Sequence, residues 1–236
     1  MPQYLIPPEN IRGGDFVAGE EEANHIARAA RVRAGDEIEI FDGLGNRYRA
    51  VVKTVAPGVV SGSIKEKLPS PEYITKLTLC FGVPARSALE SALERCTAAG
   101  VEVFQPMLSS RVQFDLFSNW ERKLPRLEQI AAAACKQCGR GRLPAIRRPE
   151  KFDELLQSGG AAVIAAADGV KLEAAAPALA GKTGIKLFVG PEGGFTKGEL
   201  EFARSNGALF VNLGLHTLRT EDACFAAACA LLTRLG

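Results

Sequence analysis

The stretch KLFVGPEGGFTKGELE, residues 186–201, sets an apolar run against a glycine-rich loop and a helix start. Leu187, Phe188 and Val189 read as the end of a buried strand. Gly190, Pro191, Glu192, Gly193 and Gly194 form the loop. Thr196 followed by Glu199 three residues later is a capping-box signature, so a helix begins at once. Glycines bring backbone N–H groups close to a ligand because no Cβ intervenes, and they accept positive φ. The same glycines suit a tight strand-to-helix turn that binds nothing, and the loop alone leaves both readings open.

Working outward, strand and helix patterns alternate from Tyr73 onward. ITKLTLCFGV reads as a strand, RSALESALERCTAAG as a helix closed by glycine, and VEVFQPML as the next strand. A helix through NWERKLPRLEQIAAAACKQCG, a basic loop, the helix KFDELLQSG and the strand AAVIAAAD follow. The last quarter repeats the scheme twice, with IKLFVG before TKGELEFARSNG and ALFVNLG before TEDACFAAACALLTRLG. Such alternation argues for an α/β domain with a mostly parallel sheet. Residues 1–68 read instead as mainly β, with one helix near EEEANHIARAARV. Short alternating runs over Glu37–Phe41, Tyr48–Val55 and Val59–Ile64 are separated by DGLGN and Pro57-Gly58, which suggests a small barrel or sandwich. KLPSPE, residues 67–72, reads as a linker, giving an expected first domain over 1–70 and a second over 71–236.

In open α/β sheets ligands sit beyond the carboxyl ends of the strands. A second loop at such an end is NLGLHTLRTEDA, residues 212–223. Thr220 can cap a helix whose first turn carries Glu221 and Asp222, both favourable at the positive dipole end. Arg219 either pairs with one of those acids or stands as a cation at a pocket mouth. Neither loop matches the P-loop or the dinucleotide fingerprint, so the physics reaches a small-molecule site built from backbone amides.

Composition narrows the setting. The 236-residue chain is 47% hydrophobic and 24% charged, ordinary for a soluble globular protein, and its formal net charge of +2 names no partner. The N-terminal MPQYLIPPENIRGG lacks the features of a signal peptide, and no apolar run approaches the roughly 18–20 residues of a membrane span. The expectation is a cytoplasmic protein away from membranes whose six cysteines are reduced thiols.

FVGPEGGFTKGEL together with LGLHTLRTEDA resembles the C-terminal signature of the SPOUT-superfamily methyltransferases, and more closely the RsmE family. HIARAARVRAGDEIEIFDGLGN is similar to that family's N-terminal RNA-binding signature, AAGVEVFQPMLSSR to its Ser-x-Arg segment, and AACKQCGRGRLPAI to its Gln-containing basic segment. The resemblance implies a PUA-like β-barrel followed by an α/β domain whose C-terminal part threads a trefoil knot. It implies a homodimer that methylates N3 of a uridine in 16S ribosomal RNA of the small subunit, using S-adenosyl-L-methionine and no metal. It places the cofactor against Ala167, Val189, Gly190, Pro191, Glu192, Gly193, Gly194, Leu213, Gly214, Thr217, Leu218 and Thr220. The chain departs from the family pattern at Ala98, Lys136, Leu215-His216 and Asp222. Two alternatives stand beside this reading: a SPOUT enzyme acting on another RNA position, and a non-catalytic RNA-binding assembly factor.

Uridine N3 carries a proton at neutral pH, so methylation needs that proton removed and the resulting anion stabilised. Arg219 suits the second task. Glu221 or Glu192 suits the first, although Glu221 also serves as a helix-terminal charge and Glu192 as a loop anchor. For RNA contact, Lys136, Arg140 and Arg142 lie in the acid-free run KQCGRGRLPAIRR beside Gln137, a candidate phosphate-binding strip. His25, Arg28 and Arg31 recur at a spacing of three on one helix face, and Arg111 closes the Ser-x-Arg segment. Cys135-x-x-Cys138 lacks a second ligand pair, which argues against a structural zinc site.

Overall fold

The computed structural model describes residues 3–29, 31–112 and 119–235, with the side chains of Arg28 and Ala29 outside that description. The chain separates into two units, and the division is not linear. Met1–Pro71 associate with Ala132–Leu143, while Glu72–Ala131 associate with Pro144–Gly236. The segment 132–143, placed by the linear reading in a second domain beginning at residue 71, thus packs with the first unit.

The first unit is a six-stranded mixed sheet. Its order is β1 (Gln3–Leu5), β4 (Glu37–Phe41), β5 (Arg47–Ala56), β6 (Val59–Leu68), β3 (Asp15–Ala18) and β2 (Ile11–Arg12), numbered along the chain. β1 lies parallel to β4, and the other neighbours run antiparallel. Alternation does what the sequence expects: Ile38 and Ile40 are buried, as are Ala50 and Val52 on the neighbouring strand, while Glu37 is exposed. These side chains form a core with Tyr4, Phe16, Ile26 and Val60. Asp42 closes the DGLGN turn, its Oδ1 accepting from Leu44 N at 2.8 Å and Asn46 N at 3.0 Å. The expected N-terminal helix is only Glu20–Asn24 (α1), followed by a π-helical turn over His25–Ala29 and a left-handed Arg31 at φ 55°.

The second unit centres on a parallel sheet in the order β10 (Glu150–Lys151), β8 (Val103–Leu108), β7 (Lys76–Gly82), β12 (Gly184–Val189), β11 (Ala161–Lys171) and β13 (Leu209–Asn212), with β9 (Ala145–Ile146) also paired to β8. Parallel sheets are covered on both faces, so their strands read as continuous apolar runs. Leu77, Leu79 and Phe81 of β7 point to one face with Ile185, Leu187 and Val189 of β12, and Cys80 and Phe188 point to the other. On the first face lie α2 (Arg86–Ala99), the N-terminal part of α3 (Trp120–Cys138), α5 (Leu172–Leu179) and α7 (Thr220–Leu235). On the second lie α4 (Phe152–Gln157) and α6 (Lys197–Ser205). Cys224, Ala227, Ala228 and Leu231 recur at helical spacing on α7, and these mostly small side chains let it pack closely on α2. α2 stops at Gly100, whose φ of 105° disfavours a side chain and where a Cβ would lie 2.7 Å from the Tyr73 ring. Sequence patterning does not announce α5, which follows β11 directly and contains Pro177.

Candidate active site

Because the strands are parallel, their carboxyl ends share one edge of the sheet. The loops leaving β12 and β13 meet there. Thr220, 4% exposed at the start of α7, donates its hydroxyl hydrogen from Oγ1 to Gly190 O at 3.2 Å. Asn212 at the end of β13 donates Nδ2–H to Ala167 O at 2.5 Å and turns back through its Oδ1, which accepts from Gly214 N at 2.7 Å. Ala167 sits in the irregular part of β11, where the pairing to β13 slips between Ala165 and Val170. The fold thus gathers Ala167, Val189, Gly190, Asn212, Leu213, Gly214 and Thr220 at one edge.

The glycine loop is held in a defined shape. Gly194 N donates to Pro191 O at 2.7 Å, and Gly194 takes φ 66°. A Cβ at Gly82, the last residue of β7, would lie 2.6 Å from Pro191 N, so the strand and the loop touch backbone to backbone. Arg111 braces the other side: its Nη1 donates to Gly193 O at 2.7 Å, and its stem occupies the space where a Gly193 Cβ would point, 3.3 Å away. The Thr196–Glu199 capping box forms as the sequence expects, with Glu199 N to Thr196 Oγ1 at 3.2 Å and Thr196 N to Glu199 Oε2 at 2.7 Å. Glu199 also accepts from Ser110 N at 2.8 Å. Burial pushes the Glu199 carboxyl up, but the hydrogen bonds from Ser110 and Thr196 outweigh it and hold the group below the usual carboxylate range. Segment 109–111 and the glycine loop are therefore one braced assembly, a link no linear pattern reveals.

The second loop is open. Gly214, Thr217, Leu218 and Arg219 are exposed, as are Glu192 and Gly193 in the first loop. Ala223 N donates to Arg219 O at 2.8 Å, which makes Arg219 the N-cap residue immediately before α7. Glu221 is half-buried in the first turn. Arg219 forms no ion pair with a described residue; Asp222 is instead bound by Arg95 Nη1 at 2.8 Å. The simple salt bridge of Arg219 to Asp222 or Glu221 is absent among the described residues.

In the candidate RNA strip two of the cations are largely covered. Lys136 is ion-paired to Glu22 at 2.5 Å, with side chains only 22% and 14% exposed, and Arg140 is 9% exposed. Gln3 Nε2 donates to Arg140 O at 3.1 Å, Gly45 N donates to Gly141 O at 3.0 Å, and Arg142 bridges the backbone at Gly43 and Leu44. The Lys136–Glu22 pair and the backbone at Arg140, Gly141 and Arg142 fasten segment 132–143 to the rest of the first unit, leaving Lys136 and Arg140 little surface for phosphate. Gln137, His25, Arg31 and Arg111 are exposed, and the Arg28 side chain lies outside the described residues. His25 packs edge-on to the Tyr4 ring at 5.7 Å. Cys135 is buried with Sγ–H donating to Arg142 O at 3.4 Å, and Cys138 is exposed.

The family model described as an RNA methyltransferase domain matches residues 71–232, and one described as an RNA methyltransferase PUA domain matches residues 18–58. Proteins named ribosomal RNA small subunit methyltransferase E are similar over most of their length. The Synechocystis one is 28% identical, covering 94% of this chain and 74% of that protein; the Aquifex aeolicus one is 28% identical, covering 93% and 95%. The crystal structure of the Neisseria gonorrhoeae protein of that name, bound to S-adenosyl methionine, superposes with a TM-score of 0.89 at 26% identity, covering 100% of this chain and 98% of the other. These relatives are the ones the RsmE resemblance anticipates. With the methyltransferase model matched over more than half its length, this chain belongs to the RNA methyltransferase family.

Proposed function

We propose that the chain transfers a methyl group from S-adenosyl-L-methionine to N3 of a uridine in the 16S ribosomal RNA of the small subunit. The observation that carries the reading is the Thr220–Gly190 bond, which joins the two loops and leaves the unpaired Arg219 at their junction. The cradle suits such a cofactor: it offers backbone amides and carbonyls over 190–194 and 213–220, apolar surface at Leu213 and Leu218, and a loop packed too tightly at Gly82 to collapse inward. Bound there, the cofactor supplies an electrophilic methyl group on a sulfonium. Arg219 stabilises the negative charge that spreads over the uracil carbonyls as the N3 proton leaves, and Glu221 accepts that proton. Thr217, Leu218 and Thr220 hold one side of the cofactor, and Val189 to Gly194 hold the other.

The same reading makes the chain a cytoplasmic homodimer, with a knotted C-terminal segment. RNA contact falls to His25, Arg31, Gln137 and Arg111. The test is transfer of labelled methyl to small-subunit particles and to naked 16S RNA, with nucleoside analysis of the product. Label in 3-methyluridine supports the reading, and label in another nucleoside replaces the target. RNA binding with no cofactor affinity and no label refutes it in favour of a non-catalytic assembly factor.

A further inference from the structure

We infer that Arg95 is a positioning residue for methyl transfer: it holds the Asp222 carboxylate away from Arg219, so that the Arg219 guanidinium stays unpaired. The inference rests on the role given to Arg219 above. Because Ala223 N bonds to Arg219 O, Arg219 is the N-cap of α7 and Asp222 is its third helical residue. An acid at that position reaches back to the N-cap, and this protein shows the arrangement on α6, where Glu199 returns to Thr196 N at 2.7 Å. Asp222 does not do so. Its Oδ1 instead accepts from Arg95 Nη1 at 2.8 Å, across from α7 to the neighbouring α2.

Arg95 is itself oriented. Its guanidinium lies over the Phe225 ring, 4.4 Å from the centroid, one turn further along α7. The Arg95 and Asp222 side chains are 39% and 44% exposed, and ion pairs that open to water contribute little to folding. Their consequence is therefore directional. With Arg95 present, the acid nearest Arg219 in helical spacing is already occupied. Without it, Asp222 and Arg219 are an acid and a base three residues apart at a helix start, a spacing at which such side chains meet.

The experiment compares wild type, Arg95→Gln, Arg95→Gln/Asp222→Asn and Arg219→Ala in methyl transfer, with cofactor affinity by calorimetry and a crystal structure of Arg95→Gln. Arg95→Gln is expected to lose about tenfold to a hundredfold in kcat, the worth of one hydrogen bond to a charged group, at unchanged cofactor affinity. The double variant is expected to recover most of that loss, which a merely structural role for Arg95 would not produce. The crystal structure is expected to show Asp222 turned to Arg219. A full rate in Arg95→Gln, an equally slow double variant, or an Asp222 that stays clear of Arg219 overturns the inference. If wild type transfers no methyl, the proposed function fails instead, and if Arg219→Ala is fully active, Arg219 leaves the mechanism and the inference falls with it; in both cases the crystal structure still decides the pairing.

Discussion

Alanine at Gly82 tests whether the shape of the glycine loop governs cofactor binding. Gly82 does not adopt positive φ, so its backbone accepts alanine and only the new methyl group matters. That Cβ would stand 2.6 Å from Pro191 N, 2.7 Å from Cδ and 2.8 Å from Cα, all on or bonded to the loop backbone. Relaxing to an ordinary contact of about 3.5 Å requires the loop or the strand to move by roughly 0.9 Å. β7 is central in the sheet and hydrogen-bonded on both sides, so the loop is the part that yields. Overpacking of this size costs about 1–3 kcal/mol, and an ångström of misplacement near a reacting centre costs up to about a hundredfold in rate. Gly82→Ala is therefore expected to weaken S-adenosylmethionine binding by at least about tenfold while the chain still folds. Calorimetric titration beside a thermal melt reads both quantities. Affinity within twofold of wild type, in a folded variant, would show that the 190–194 loop does not form the cofactor cradle in this shape.

Three further outcomes follow from the geometry. Arg219→Ala is expected to keep cofactor affinity and lose about a hundredfold or more in turnover, as removal of a single oxyanion donor does; an unimpaired kcat removes Arg219 from the mechanism. Lys136→Met leaves the Glu22 carboxylate, 14% exposed, without its cation, and is expected to cost about 1–3 kcal/mol in a urea titration. An unchanged midpoint would return Lys136 to the pool of free phosphate contacts. The Glu199 carboxyl titrates below its ordinary value when folded, so its stabilisation is full above the usual glutamate range and disappears as pH falls through the lowered folded value. The stability gap between wild type and Glu199→Gln should accordingly narrow on acidification, and a gap that is constant from neutral to acid pH would contradict the assignment.

Much of the second unit is legible in the chain because its signals are local. The Leu187–Val189 run, the capping pair Thr196 and Glu199, and the glycine that ends α2 each act within a few residues, and each appears in the structure. Helix α5 escapes detection because LEAAAPAL carries a proline and little periodic contrast, and its helical form comes from packing Ala175 and Leu179 into the core. The π-helical turn at His25–Ala29 escapes for a similar reason. Spacing of three reads as an ordinary helix face, whereas the wider turn and the left-handed Arg31 redirect these residues.

By itself the sequence determined the fold class and the two loops at the strand ends, because strand and helix periodicities and capping chemistry are written in neighbouring residues, and the family showed through the resemblance of its motifs. Only the tertiary structure decided what the charges do. KQCGRGR reads as an open basic strip, yet Lys136 is half-buried against Glu22 and Arg140 is buried with its backbone carbonyl accepting from Gln3 Nε2, because Glu22 and Gln3 lie more than a hundred residues earlier in the chain. Arg219 reads either as one half of a local salt bridge or as a cation at a pocket mouth, and the structure gives Asp222 to Arg95, 127 residues away. Charges choose partners by distance in space, and that distance exists only once the chain has folded.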